Sequence, residues 1–239
     1  MRANLGVWVG LLLSFSARAG SVDVTDNPQL WMNVSAFGET RWAEGEIHLI
    51  STDNWFLLSK KRYRDFELEL EVKLPQPEEY VNSGVMFRGQ IAYDPAIESY
   101  YAYGYQAEVD PSERRWSGGL YEQATEREWL FPRHPERSAP GEHFKANHSP
   151  QWTPAKAKAF NPGAWNHYKI RALGPEITVW VNGVLTTAVT DTKFAEGHIG
   201  LQHHGSAAYA SSGDTANTIQ FRRIRITQLP PPEPKNPKH

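Results

Sequence analysis

Three features of the 239-residue sequence predict an all-β fold, a sandwich of antiparallel strands. Apolar and polar residues alternate with period two in short runs between turn residues, the pattern of half-buried strands. No long stretch carries the 3.6-residue apolar spacing of an amphipathic helix. Asn182-Gly183 lies between two apolar runs, and that pair suits a type I′ hairpin turn because both central residues need positive φ.

Taken in chain order, residues 1–19 read as a secretory signal peptide. Arg2 supplies the positive start, Leu5 to Ser16 the apolar run, and Ala17-Arg18-Ala19 a small-x-small cleavage site. A dozen apolar residues is too short for a membrane span, which needs about 20. The expected location is therefore secreted or periplasmic, with a single domain over residues 20–229. The clearest strand runs from Phe66 to Leu74, with Phe66, Leu68, Leu70, Val72 and Leu74 on one face and Glu67, Glu69, Glu71 and Lys73 on the other. Residues 132–163, rich in Pro, His, Lys and Ala, read as a long loop crossing one end of the sandwich. Ile177 to Thr187 reads as a hairpin. Residues 230–239 contain five prolines and are expected to form a flexible tail.

Composition narrows the chemistry. A net charge of -2 gives no global field for nucleic acid or an anionic membrane. The chain has no cysteine, so disulfides, a thiol nucleophile and Cys-ligated zinc are excluded. No Gly-rich phosphate loop, His-Glu-x-x-His helix or Gly-x-Ser-x-Gly elbow is present. Nine Trp and ten Tyr suit both core packing and stacking on sugar faces.

The strongest candidate for a site is Tyr101 to Asp110. Alternation places Tyr101, Tyr103, Tyr105, Ala107 and Val109 on one face and Gln106, Glu108 and Asp110 on the other. Alternate Cα atoms are roughly 6.5 to 7 Å apart along a strand, so these groups reach one ligand, a geometry suited to paired acid and base work. An ordinary solvated strand face produces the same pattern. Val85 and Phe87 are expected inward with Met86 and Arg88 outward, and Ile199 and Leu201 inward with His198, Gln202 and His204 outward. Arg88 has a donor fork for an oxygen gaining charge, or for a surface salt bridge. His204 is a candidate acid, base or metal ligand, or a merely solvated histidine. Trp180 is a candidate stacking platform, or packs beneath a loop.

Seven ordered segments, LLSKKRYRDFELELEVKL (57–74), NSGVMFRG (82–89), YGYQAEVD (103–110), GGLYE (118–122), PGAWNHYKIRALGPEITVWVNGV (162–184), GHIGLQHHG (197–205) and IQFRRIRI (219–226), resemble the 3-keto-disaccharide hydrolase family. The resemblance covers roughly residues 30–229. It implies a concanavalin A-like jelly roll of two antiparallel sheets with a sugar-binding concave face, and activity on glycosides already oxidised at C3. The ketone acidifies the C2 hydrogen, so a base removes it and the C1 substituent leaves by elimination, after which water adds back. On that reading Glu108 or Asp110 is the base, Arg88 holds the enolate oxygen, His204 is the acid, and Asn82, Gln106, Tyr121, Trp180 and Gln202 bind the sugar. A divalent cation held by Glu108, Asp110 and His204 is the competing arrangement. A sugar 3-dehydrogenase is the implied source of the substrate. The sequence departs from the family where Gln106 and Glu108 stand in the YE-x-Q-x-x-D piece, and in Arg223, where Asn is usual.

Two other readings share the fold. A noncatalytic, lectin-like carbohydrate-binding module needs aromatic platforms but no charged pair. A laminarinase-type glycosidase normally wants a further Glu in the segment that here offers only Glu108 and Asp110.

Overall fold

The computed structural model describes residues 20–146 and 151–232. The signal peptide expected over residues 1–19 and most of the Pro-rich tail lie outside the described residues. Strands follow one another as β1 (Ser21–Asp23), β2 (Trp31–Met32), β3 (Gly38–Ala43), β4 (Glu46–Ser51), β5 (Trp55–Tyr63), β6 (Phe66–Lys73), β7 (Ser83–Asp94), β8 (Ser99–Val109), β9 (Leu120–Gln123) and β10 (Glu128–Phe131). The second half continues with β11 (Phe144–Lys145), β12 (Asn166–Leu173), β13 (Glu176–Val181), β14 (Val184–Asp191), β15 (Gly197–His203) and β16 (Ile219–Gln228). Two short helices, α1 (Pro154–Ala157) and α2 (Ala207–Ser212), interrupt them.

The strands form two antiparallel sheets. One runs β11-β14-β13-β12-β6-β16-β4-β3, with β1 added on β16; the other runs β10-β9-β8-β7-β15-β5-β2. Neighbours such as β6, β12 and β16 are far apart in sequence, so the sandwich is built from crossovers between the sheets. This is the two-sheet jelly-roll arrangement expected for the concanavalin A class.

Alternation explains the layers. In β6, Phe66, Leu68, Leu70 and Val72 are fully buried while the three Glu between them are half-buried. From the facing sheet, Val85, Phe87, Tyr105, Ala107, Val109, Ile199 and Leu201 enter the same core. Truncating Leu68, Leu70, Ile199 or Leu201 to Ala costs about 2 to 5 kcal/mol. The hairpin at Asn182-Gly183 is present between β13 and β14, with φ of 48° and 80° at the two residues. Among the described residues of 132–163 most are irregular, yet Phe144–Lys145 pairs with β14 at the sheet edge and residues 154–157 form one helical turn capped by Thr153.

Strict alternation fails at one place that matters. The β7–β8 register shifts between Phe87 and Gln90, where Arg88 adopts φ 50°. A bulge of this kind re-aims side chains, and Arg88 is 1% exposed instead of facing outward. Its Nε and Nη2 donate to the Arg64 carbonyl (3.0 and 2.7 Å) and its Nη1 to the Phe194 carbonyl (3.1 Å), with Asp65 at 3.6 Å. Arg88 thus ties two loops together.

Candidate functional site

The outer face of the β10-β9-β8-β7-β15-β5-β2 sheet carries a polar cavity of about 190 Å3. Its floor is Gln106 and Glu108 from β8, with Gln202 from β15 beside them and Asn82 just before β7. Tyr121, Gln123 and Trp129 come from β9 and β10, and Tyr80, Arg114, Arg137 and His204 from loops at the rim. Gly84 makes the floor possible. It pairs with Glu108 across the β7–β8 ladder, and a Cβ there would lie 2.3 Å from the Gln106 side-chain amide. The glycine in the NSG piece is the space into which Gln106 folds.

Glu108 is 4% exposed, so the polar side of β8 is not a solvated strand face. Its direct partners are neutral: Asn82 Nδ2 donates to Oε1 at 2.9 Å and Gln106 Nε2 to Oε2 at 3.0 Å. Gln106 Nε2 also donates to Gln202 Oε1 (3.0 Å), and Gln202 Nε2 to Asn54 Oδ1 (2.9 Å). Burial raises the Glu108 pKa to about 7, and the Asp110 charge adds to it. The hydrogen bonds from Asn82 and Gln106 and the Arg114 charge only partly oppose the rise. A carboxyl at that value exchanges protons near neutral pH. Gln106 Oε1 and Trp129 Nε1 are buried without a partner in the residues that line this cavity, and unmet polar atoms in a pocket are where a ligand hydroxyl gains most.

Asp110 lies just past β8, but its carboxylate is occupied. Oδ1 accepts from the Ser112 backbone N–H, and Oδ2 from Ser112 Oγ (2.8 Å) and from Arg114 Nε and Nη2 (3.0 and 2.6 Å). Asp110 does not line the cavity; it holds Arg114, which does. The Arg114 guanidinium also lies over the Trp129 ring at 5.1 Å. His204 stands exposed at the rim, edge-on to Tyr80 at 5.7 Å between ring centroids. Loss of hydration lowers its pKa, Asp53 and Asp110 oppose the shift, and Arg114 reinforces it. Its neighbour His203 faces inward, where Ser51 and the Asn217 carbonyl hold it and burial lowers its pKa to about 4.

Of the nine residues expected at the site, Asn82, Gln106, Glu108, Tyr121, Gln202 and His204 converge on the cavity. Arg88, Asp110 and Trp180 do not. Trp180 belongs to β13 of the other sheet, where Lys169 Nζ lies 5.7 Å from its ring. The candidate cation ligands Glu108, Asp110 and His204 do not form a set, since Asp110 is committed to Arg114 and Ser112. Among the described residues no three His, Asp or Glu side chains are grouped to hold a metal ion. Arg114, Arg137, Tyr80, Gln123 and Trp129 are lining residues that the strand pattern did not single out. The run Asp110-Pro111-Ser112, a turn that returns an Arg four residues on, is the one sequence signal that points to Arg114.

The jelly-roll sandwich thus carries, on the outer face of one sheet, a polar cavity with a buried carboxyl, amides and cations. The chain matches the 3-keto-alpha-glucoside-1,2-lyase-like domain over residues 22–227 and belongs to that family, the 3-keto-disaccharide hydrolases. Among solved structures it is similar to a candidate glycosyl hydrolase from Parabacteroides distasonis ATCC 8503 (13% identity, 84% of this chain and 89% of that one, TM-score 0.50). It is also similar to a protein of unknown function with a galectin-like fold from Bacillus subtilis (10% identity, 88% and 97%, TM-score 0.52). These likenesses show the fold. No curated protein matches the sequence.

Proposed function

We propose that the cavity binds a glycoside oxidised at C3 and cleaves it by proton abstraction at C2, with Glu108 as the base. The observation that carries the reading is the Glu108 carboxyl, buried at the cavity floor among amides with its pKa raised to about 7. A binding module gains nothing from a buried carboxyl that titrates, whereas a base for an acidified C–H needs one. As Glu108 takes the C2 proton, the C–H electron pair moves into C2–C3 and charge collects on the C3 oxygen. Arg114, fixed by Asp110, replaces Arg88 as the group that faces this charge. Collapse of the enolate forms the C1–C2 double bond and breaks the bond from C1 to the leaving oxygen, which takes its proton at the rim where His204 stands. Water adding across C1–C2 gives the free keto sugar. Gln106, Gln202 and Tyr121 hold the ring hydroxyls.

The test is product analysis with a 3-keto-glucoside and its unoxidised parent, with and without chelator. Cleavage of the keto sugar alone, unchanged by chelator, is the expected result. No cleavage of either sugar, with measurable binding, overturns the enzyme reading in favour of a lectin-like module. Loss of turnover in chelator returns the divalent cation.

A further inference from the structure

We infer that the groove beside the cavity is the site for the leaving group, and that it takes a single aromatic ring, so that the substrate is an aryl 3-keto-glycoside. The inference rests on the function proposed above. The groove has a volume of about 110 Å3 and is lined mainly by Val34, Phe37, Phe56, Ile97, Tyr100 and Tyr101. A cavity of roughly 150 Å3 takes one benzene ring, so the groove is on the scale of one ring. Tyr100 and Ile97 are half exposed and Tyr101 is 37% exposed; solvent-facing large apolar groups clustered beside a polar cavity mark a contact surface.

Two contacts make the groove and the cavity one surface. Gln123 lines both, and Gln202 of the cavity donates to Asn54 of the groove at 2.9 Å. A ligand whose sugar lies over Glu108 can therefore extend along the sheet onto Tyr100, which shares the outer face with Ala102 and Gln106, whereas the Tyr101 ring turns to the other face against Tyr103. Most of the groove's lining is apolar, with Asp53, Asn54, Ser35 and Gln123 as its polar groups, and apolar walls with a few polar groups suit a flat aromatic ligand. The chemistry at the rim agrees. A phenolic oxygen, whose conjugate acid ionises near 10 as in Tyr, departs with less help from an acid than an alcohol does.

The experiment compares 4-nitrophenyl and methyl 3-keto-glucosides in the wild-type protein and in Tyr100→Ala and Ile97→Ala, together with inhibition by free 4-nitrophenol. The expected result is a fall of about tenfold in the aryl-to-methyl ratio of kcat/KM in the variants, with the inhibition constant of the phenol rising by a similar factor. Turnover of both glycosides with an unchanged ratio and an unchanged inhibition constant overturns the aryl site while leaving the proposed reaction standing. If neither glycoside is cleaved, the reaction falls. Weaker phenol binding in the variants then supports the aryl site, and unchanged phenol binding overturns it.

Discussion

Glu108 and Glu122 sit on adjacent strands of one sheet, both buried, and face opposite ways. Glu108 points to the outer face among amides. Glu122, paired with Tyr105 across β8 and β9, shares the inner face, where it accepts from Arg127 and from Lys193 Nζ at 2.6 Å. Arg127 continues to Asp191 of the other sheet at 2.8 Å, and the Tyr105 hydroxyl donates to the same Asp191. Burial pulls the Arg127 pKa down, but the bonds from Glu122 and Asp191 outweigh it and hold the guanidinium firmly charged. The difference lies in the partners. A buried carboxyl given cations becomes a fixed clamp between sheets; one given amides keeps a proton that it can exchange.

The comparison breaks most sharply at Glu108→Gln. Removing a general base costs roughly 10^2- to 10^4-fold in kcat, and turnover of the 3-keto-glucoside should fall within that range while sugar binding persists. The same variant tests the pH linkage. In the unfolded chain Glu108 ionises near 4.5, in the fold only near 7, so between those values the folded state holds the extra proton and stability falls as pH rises. A rise of that size amounts to about 3 kcal/mol. Glu108→Gln should therefore match the wild type in stability at pH 4 and exceed it by up to about 3 kcal/mol at pH 8. Equal denaturation curves at both pH values would remove the buried, proton-exchanging carboxyl from the account. The wild-type kcat/KM should rise with pH through about 7.

At the other region, Arg127→Met leaves Glu122 and Asp191 buried without their shared cation, at a cost of about 3 to 5 kcal/mol. That is a fall in Tm on the order of 10 °C for a chain of this size, measured by calorimetry, with kcat/KM per folded molecule retained because Arg127 does not line the cavity. A large loss of kcat/KM with an unchanged Tm would reverse the roles assigned to the two carboxyl sites. The smallest effect is expected from Gly84→Ala. The added methyl collides with the Gln106 amide, costs about 1 to 3 kcal/mol as an overpacked group, and should raise KM for the sugar more than it lowers kcat.

How much of the site was legible follows from how each residue is held. Glu108 and Gln106 could be read from period-two alternation because β8 is regular there and its outer side has one sense. Asp110 was recognised by type but not by use, since the turn that gives its oxygens to Ser112 and Arg114 begins one residue after the strand ends. Arg88 was misplaced because counting by twos assumes an unbroken ladder, and the bulge at φ 50° shifts the count. Trp180 was misplaced because alternation assigns a face within a sheet without saying which of the two sheets a strand joins. Arg114, Arg137 and Tyr80 come from loops, where no periodicity exists to read.

The sequence by itself determined the strands, the Asn182-Gly183 hairpin, the alternating core and the family, because these depend on neighbours along the chain and on an ordered set of segments. Only the tertiary structure decided that Glu108 is surrounded by amides while Glu122 is clamped by Arg127, that Asp110 serves Arg114, and that an aromatic groove adjoins the cavity. Some of those relations are close in sequence, as Asp110 with Arg114 and Glu122 with Arg127, but side-chain direction decides them, and others join distant segments, as Arg127 with Asp191 and Gln202 with Asn54. Partner identity, rather than residue type, sets whether a buried charge is fixed or free to move a proton.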